Sequence, residues 1–144
     1  MLENSIAATG RERKIEMKIL VIGGVAAGTK AAAKWKRENR ADQVMVITKS
    51  ADISYAGCGL PYYVGGSIAD KGELIVNTPQ KYQGLTGVEV RTQREAVQVD
   101  PAAKRVVAKN LQTGEEESYG YDKLIVATGA SAVKPPIPGV DLNG

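Results

Sequence analysis

The chain has 144 residues, 43% hydrophobic and 24% charged, with 19 Lys and Arg against 16 Asp and Glu, a net charge of +3 and no histidine. That length fits one domain with its own core, and so mild a charge argues against nucleic acid as a partner. No apolar run approaches the ~20 residues of a membrane span, and a single cysteine excludes an intrachain disulfide and fits a reducing, cytoplasmic setting.

Residues 1–16 are polar and mixed in charge, without the apolar segment of a signal peptide. They read as an extension or a disordered tail, because Met17 directly precedes the first apolar run. That run, Ile19–Gly23, ends in two glycines, and Gly28 and Ala31–Ala33 follow in a small-residue tract. The pattern predicts a buried strand, a tight turn and a helix packed closely on the strand. Such a turn leaves backbone N–H groups at the positive end of the helix dipole, where a phosphate binds well. The dinucleotide pattern places glycine at its first, third and sixth positions; here these are Gly23, Val25 and Gly28, so the middle glycine is missing. The same pattern also suits a strand–helix turn without any ligand.

The helix is expected over Ala26–Asn39, with Ala27, Ala31 and Trp35 on one face. Lys30, Lys34 and Arg37 form a basic row on a neighbouring face. Such a row is either a solvated surface or a seat for an anionic ligand. Gln43–Thr48 is β-branched and reads as a second parallel strand. Its last residue, Thr48, stands where dinucleotide folds place a ribose-binding acid, and Lys49 follows.

Cys58 lies between Gly57 and Gly59, and Pro61 fits the first turn of a following helix. A thiol at a helix N-terminus has a lowered pKa and is more reactive; a buried structural cysteine is the alternative. Turn signals follow, with a short helix near Pro79–Gln83. Val88–Val90, Ala96–Val99 and Arg105–Asn110, separated by Asp100-Pro101 and followed by Thr113-Gly114, suggest a small antiparallel meander. Leu124–Ala127, ending in Thr128-Gly129, reads as a strand returning to the parallel sheet. Residues 133–140 are proline-rich, and 135–144 read as a linker. No metal site is expected.

In this order, VIGGVAAG, SYAGCGLPYYVGG, TPQKY, YDKLIVATGA and PPIPGVD resemble the flavin-dependent pyridine nucleotide–disulfide oxidoreductases. Within them the chain is most similar to the single-cysteine branch that includes the coenzyme A-disulfide reductases. The resemblance runs from Met17 to the end. It implies an α/β, Rossmann-like FAD-binding domain over 17–134, with a parallel sheet and a small antiparallel meander. It further implies that Gly23, Gly24, Val25, Ala26, Ala27 and Gly28 hold the FAD pyrophosphate. Thr48 and Lys49 would lie near the ribose, Ala96 near adenine, and Ala127, Thr128 and Gly129 on the flavin side. Cys58 would be the redox nucleophile, cycling between thiolate and a mixed disulfide with coenzyme A. Ser54 and Gly57 would line the thiol site, and Lys30, Lys34 and Arg37 would face the coenzyme A moiety. Gly57 stands where many relatives have asparagine, Thr48 replaces the usual glutamate, and relatives with this loop also lack its middle glycine.

Members of the NADH oxidase and peroxidase branch carry a histidine at the position of Ala26, so its absence favours reduction of coenzyme A disulfide or a related persulfide. Family members are much longer, with an NAD(P)H-binding domain and a dimerisation domain. The resemblance therefore implies the N-terminal FAD-binding portion of an NAD(P)H-dependent homodimer, inactive alone. The alternatives are a non-catalytic flavin- or nucleotide-binding module, an inactive truncated remnant, or an NADH oxidase-type flavoprotein.

Overall fold

The computed structural model describes residues 16–131 and 133–142. The expectation of a tail over 1–16 therefore falls, except for Glu16, outside the described residues, as does the last pair of the expected linker.

The centre of the fold is the strand β1, Lys18–Ile22, buried at every position after Lys18. It is flanked by β2, Gln43–Ile47, and β9, Lys123–Val126, and beyond β2 lies β5, Glu89–Arg91. The order β5-β2-β1-β9 is parallel throughout. A continuous apolar run rather than an alternating one is what a parallel strand covered on both faces requires. The alternation survives as a division of labour. Ile19 and Val21 point to one layer, with Val44, Val46, Ala32, Tyr82 and Val88. Leu20 and Ile22 point to the other, with Ile47, Val106, Ala108 and Tyr119. Each such fully buried aliphatic side chain contributes about 1.5–3 kcal/mol relative to exposure.

The first layer is helical. Helix α1 spans Ala26–Glu38 and α3 spans Pro79–Thr86. Helix α1 ends one residue before the expected Asn39, which caps it. Its buried residues are Gly28, Thr29 and Ala32, whereas Ala27 is exposed and Ala31 and Trp35 are half-buried. The packed face is thus rotated from the one expected, because the smallest residues face the strand. Buried Asp42 accepts from the Trp35 indole Nε1 at 2.8 Å and from the Met17 amide at 3.3 Å, tying α1 to the start of β1.

The second layer is an antiparallel sheet of β6, Arg94–Asp100, β7, Arg105–Asn110, and β8, Glu116–Gly120. Here the expected meander is corrected. Val88–Val90 is not its first strand: that segment forms β5 in the parallel sheet, with Val90 opposite Val46. Its third strand is Glu116–Gly120, a polar stretch that carries no β-former run. Two short strands, β3, Ile53–Tyr55, and β4, Ile75–Asn77, pair with each other. Between them lie a 3₁₀ turn, Gly57–Gly59, and the one-turn helix α2, Leu60–Val64, which carries Pro61 in its first turn as expected. Among the described residues no helix is long and apolar enough to cross a membrane.

Candidate functional site

In an open parallel sheet, ligands bind outside the carboxyl ends of the strands, where the strand order reverses. In this chain that point lies between β1 and β9. The turn after β1 is drawn tightly against both neighbours. The Gly23 N–H donates to the Ile47 carbonyl at 2.9 Å, and the Ala127 N–H donates to the Ile22 carbonyl at 2.8 Å. Gly23 adopts φ +116, and a Cβ there would stand 2.1 Å from the Ala127 carbonyl oxygen. A Cβ on Gly28 would stand 1.8 Å from the Gly23 carbonyl oxygen, so α1 can seat on β1 only with glycine at that position. The third glycine of the loop is therefore a packing residue.

Helix α1 begins without a side-chain cap, because its N-cap is Val25. Its first backbone bond runs from the Thr29 N–H to the Val25 carbonyl at 3.2 Å. The N–H groups of Ala26, Ala27 and Gly28 precede that bond and have no partner one helical turn back. They carry the positive end of the helix dipole, and the residue that would normally cap them is a valine. A buried tyrosine fixes the helix from behind: the Tyr82 hydroxyl donates to the Thr29 carbonyl.

A cleft of about 560 Å³ opens over this turn. Gly23, Gly24 and Val25 line it from β1, Thr48, Lys49 and Ser50 from β2, Arg94, Glu95 and Ala96 from β6, and Ala127, Thr128 and Gly129 from the end of β9. The structure thus brings together nine of the expected cofactor residues, from four separate segments, in one cavity. Ala26, Ala27 and Gly28 do not line it: the first two are exposed on the first helical turn and the third is buried beneath. Arg94 and Glu95 were not singled out from sequence. They follow a turn whose fold-back over β2 leaves no local signal.

Cys58 is exposed and does not line this cleft. It sits on the 3₁₀ turn after β3, and the chain leading to it is fastened to the glycine turn by the Ser54 N–H, which donates to the Gly24 carbonyl at 2.8 Å. Ser54 adopts φ +51 in doing so. The left-handed region costs a non-glycine residue about 1 kcal/mol. Ser54 and Gly57 also stand outside the cleft lining. Lys30, Lys34 and Arg37 are exposed; Lys34 pairs with Glu38, and Arg37 lines a separate hollow of about 430 Å³ with Lys36, Arg40 and Leu85. The three cations share a helix surface rather than the cleft.

Beside the cleft, Arg94 is held by Glu117, with Nη2 3.0 Å from Oε1, and Asn110 donates to the same oxygen at 3.0 Å. The Tyr119 hydroxyl donates to the other. These bonds, the tyrosine's first and the Arg94 guanidinium's next, hold the Glu117 carboxyl down to about 2. Among the described residues no group of His, Cys, Asp and Glu side chains is arranged to hold a metal ion.

A glycine turn at the strand-order reversal, an uncapped helix behind it and a cleft spanning β2, β1 and β9 define an α/β domain of the Rossmann type. The chain belongs to the pyridine nucleotide-disulphide oxidoreductase family, whose model matches residues 17–144. It is 36% identical over 87% of its length to the NADH oxidase of Enterococcus faecalis. It is 34% identical over 80% of its length to a coenzyme A disulfide reductase of Staphylococcus epidermidis. The crystal structure of reduced Bacillus anthracis CoADR-RHD superposes with a TM-score of 0.85 at 36% identity, covering 90% of this chain and 23% of that one. The chain spans 28% and 26% of the two curated relatives.

Proposed function

We propose that this chain forms the FAD-binding part of an NAD(P)H-dependent oxidoreductase that reduces coenzyme A disulfide, or a related disulfide or persulfide, through Cys58. The observation that carries the reading is the cleft over the glycine turn, whose glycines let β1, β9 and α1 close tightly beneath it and whose helix lacks a side-chain cap of its own. The residues fit a dinucleotide: the N–H groups of Ala26, Ala27 and Gly28 suit its diphosphate, Thr48, Lys49 and Ala96 its adenosine, and Ala127, Thr128 and Gly129 its far half. When bound, FAD supplies a two-electron store that a nicotinamide refills.

Cys58 does the sulfur chemistry. Its thiolate attacks one sulfur of the disulfide, a mixed disulfide forms, and one coenzyme A thiolate leaves. Two electrons returned to that mixed disulfide release the second thiolate and restore the Cys58 thiolate. The exposure of Cys58 admits a bulky disulfide, and the Ser54–Gly24 bond couples its turn to the cofactor loop. Lys30, Lys34 and Arg37 suit the phosphates of coenzyme A. A full-length homodimer working in the cytoplasm fits this reading.

Similarity to an NADH oxidase keeps oxygen reduction as the second reading. Against it, Ala26 offers no proton-carrying group on the first turn of α1. The test is an absorbance scan of the purified 144-residue chain, followed by mass spectrometry after exposure to coenzyme A disulfide. Flavin bands and a coenzyme A adduct that is lost in Cys58→Ser are expected. A colourless chain that takes up no added FAD would overturn the cofactor assignment, and an adduct rate no faster than that of free cysteine would overturn the role of Cys58.

A further inference from the structure

The cleft contains a carboxylate at a position the dinucleotide pattern does not use. In that pattern the acid that binds the ribose hydroxyls ends the second strand. Here that residue is Thr48, which is only 6% exposed, and its Cγ2 lies 2.9 Å from where a Cβ on Gly24 would be. It carries no charge and its side chain is enclosed. The chain after β5 folds directly over this corner. The Thr48 N–H donates to the Arg91 carbonyl at 3.0 Å, the Gln93 N–H to the Ser50 carbonyl at 3.1 Å, and the Arg94 N–H to the Thr48 carbonyl at 2.9 Å. These bonds set the start of β6 against the end of β2. The next residue, Glu95, lines the cleft there, and among the described residues lining it Glu95 is the only carboxylate.

We infer that Glu95 accepts the hydrogen bonds of the adenosine ribose hydroxyls in this cleft, in place of an acid at the end of β2. The inference rests on the dinucleotide reading above. The surroundings leave Glu95 available. Arg94 beside it is committed to Glu117 and to the Thr92 carbonyl, so it does not cap Glu95. Lys49 Nζ stands 3.9 Å from its Oε1, at the rim. That loose pair offsets the repulsion between a carboxylate and an anionic diphosphate. An ionised carboxylate still offers about four acceptor sites, enough for Lys49 and two hydroxyls together.

The test is calorimetric titration of the 144-residue chain and of Glu95→Gln with two probes, ADP and 2′,3′-dideoxy-ADP. The probes share adenine and diphosphate and differ only in the ribose hydroxyls. Expected is a loss of roughly tenfold in ADP affinity on Glu95→Gln, the scale of a charge-assisted hydrogen bond. The dideoxy probe should change less than about twofold on the same substitution. Any effect of freeing Lys49 acts on both probes alike and cancels in the ratio. Equal changes for the two probes, or none for either, would overturn the role of Glu95 while leaving the dinucleotide reading standing. A parent chain that binds neither ADP nor FAD would overturn that reading and Glu95 with it. Glu95 is half-exposed at the surface, so a folded variant is expected, with circular dichroism as the check.

Discussion

Gly28 and Gly57 show how differently one residue type serves this chain. A methyl group on Gly28 would meet a backbone oxygen at 1.8 Å, whereas one on Gly57 would meet nothing within 4 Å. Backbone atoms on either side cannot give way cheaply, so Gly28→Ala should cost at least about 3 kcal/mol. Gly57→Ala should stay within about 0.5 kcal/mol. Denaturant unfolding of both variants checks the contrast, and a small loss in Gly28→Ala would mean that α1 does not seat on β1 as described. Glu117 sets a second expectation. Its folded value, about 2, lies below the ordinary carboxylate range. Its contribution to stability is therefore complete above about pH 5 and fades as the pH falls toward about 2. Glu117→Gln should flatten the acid side of the stability curve in that window while lowering stability at neutral pH. A curve of unchanged shape would show that the Tyr119 and Arg94 bonds do not discriminate the ionised form.

At the scale of elements, the joint that holds α1 behind the glycine turn is the contact of α3 with α1. The Tyr82 ring is buried among Ile19, Val21, Ala32 and Val88, and its hydroxyl reaches the Thr29 carbonyl 53 residues away in sequence. Burial raises the pKa of that phenol, which stays a donor at neutral pH. Tyr82→Phe keeps the ring and removes the donor, so a cost of about 1–2 kcal/mol is expected by thermal unfolding. A neutral outcome would assign the joint to the ring alone. Much of this layer was legible from sequence. The apolar run before Gly23 and the β-branched run over residues 43–48 announce central parallel strands, because burial on both faces removes any polar alternation. The Cys58 turn and Pro61 were legible for the same local reasons. The partner of Val88–Val90 was not, since so short a segment with two β-formers pairs as readily in a meander as in the parallel sheet. The pairing of Val90 with Val46 and the burial of Val88 in the helical layer decide it. Glu116–Gly120 was illegible because its pairing, not its composition, makes it a strand. Glu95 was missed because the bonds that bring it to Thr48 are backbone bonds across a turn.

For the whole molecule, the reading proposed for Cys58 makes the charge spread over the surface of α1 act on an anionic disulfide before it reaches that sulfur. Lys30, Lys34, Lys36, Arg37 and Arg40 all project from α1 or just beyond its end, and the chain carries a net +3. Among the described residues only Glu38 pairs with this group, through Lys34. Lys36 spends its ammonium on the Arg40 and Asp42 carbonyls and keeps its charge. Coenzyme A disulfide bears several phosphate charges, so a field of this sign raises its local concentration before any contact is made. Exposed charges are screened beyond about 8–10 Å at physiological salt. The rate of mixed-disulfide formation at Cys58 should therefore fall at least about threefold between low and physiological ionic strength. A neutral aromatic-free disulfide of similar reactivity should show little change. Replacing Lys30, Lys34 and Arg37 together by glutamine should remove most of the salt dependence for coenzyme A disulfide and leave the neutral reaction alone. The three side chains are solvated, so the fold tolerates the change. Stopped-flow or quenched-time mass measurements with the two disulfides decide the matter. Equal salt slopes for both substrates, or a slope unmoved by the triple substitution, would show that the basic surface of α1 is a solvated face with no part in selecting the disulfide.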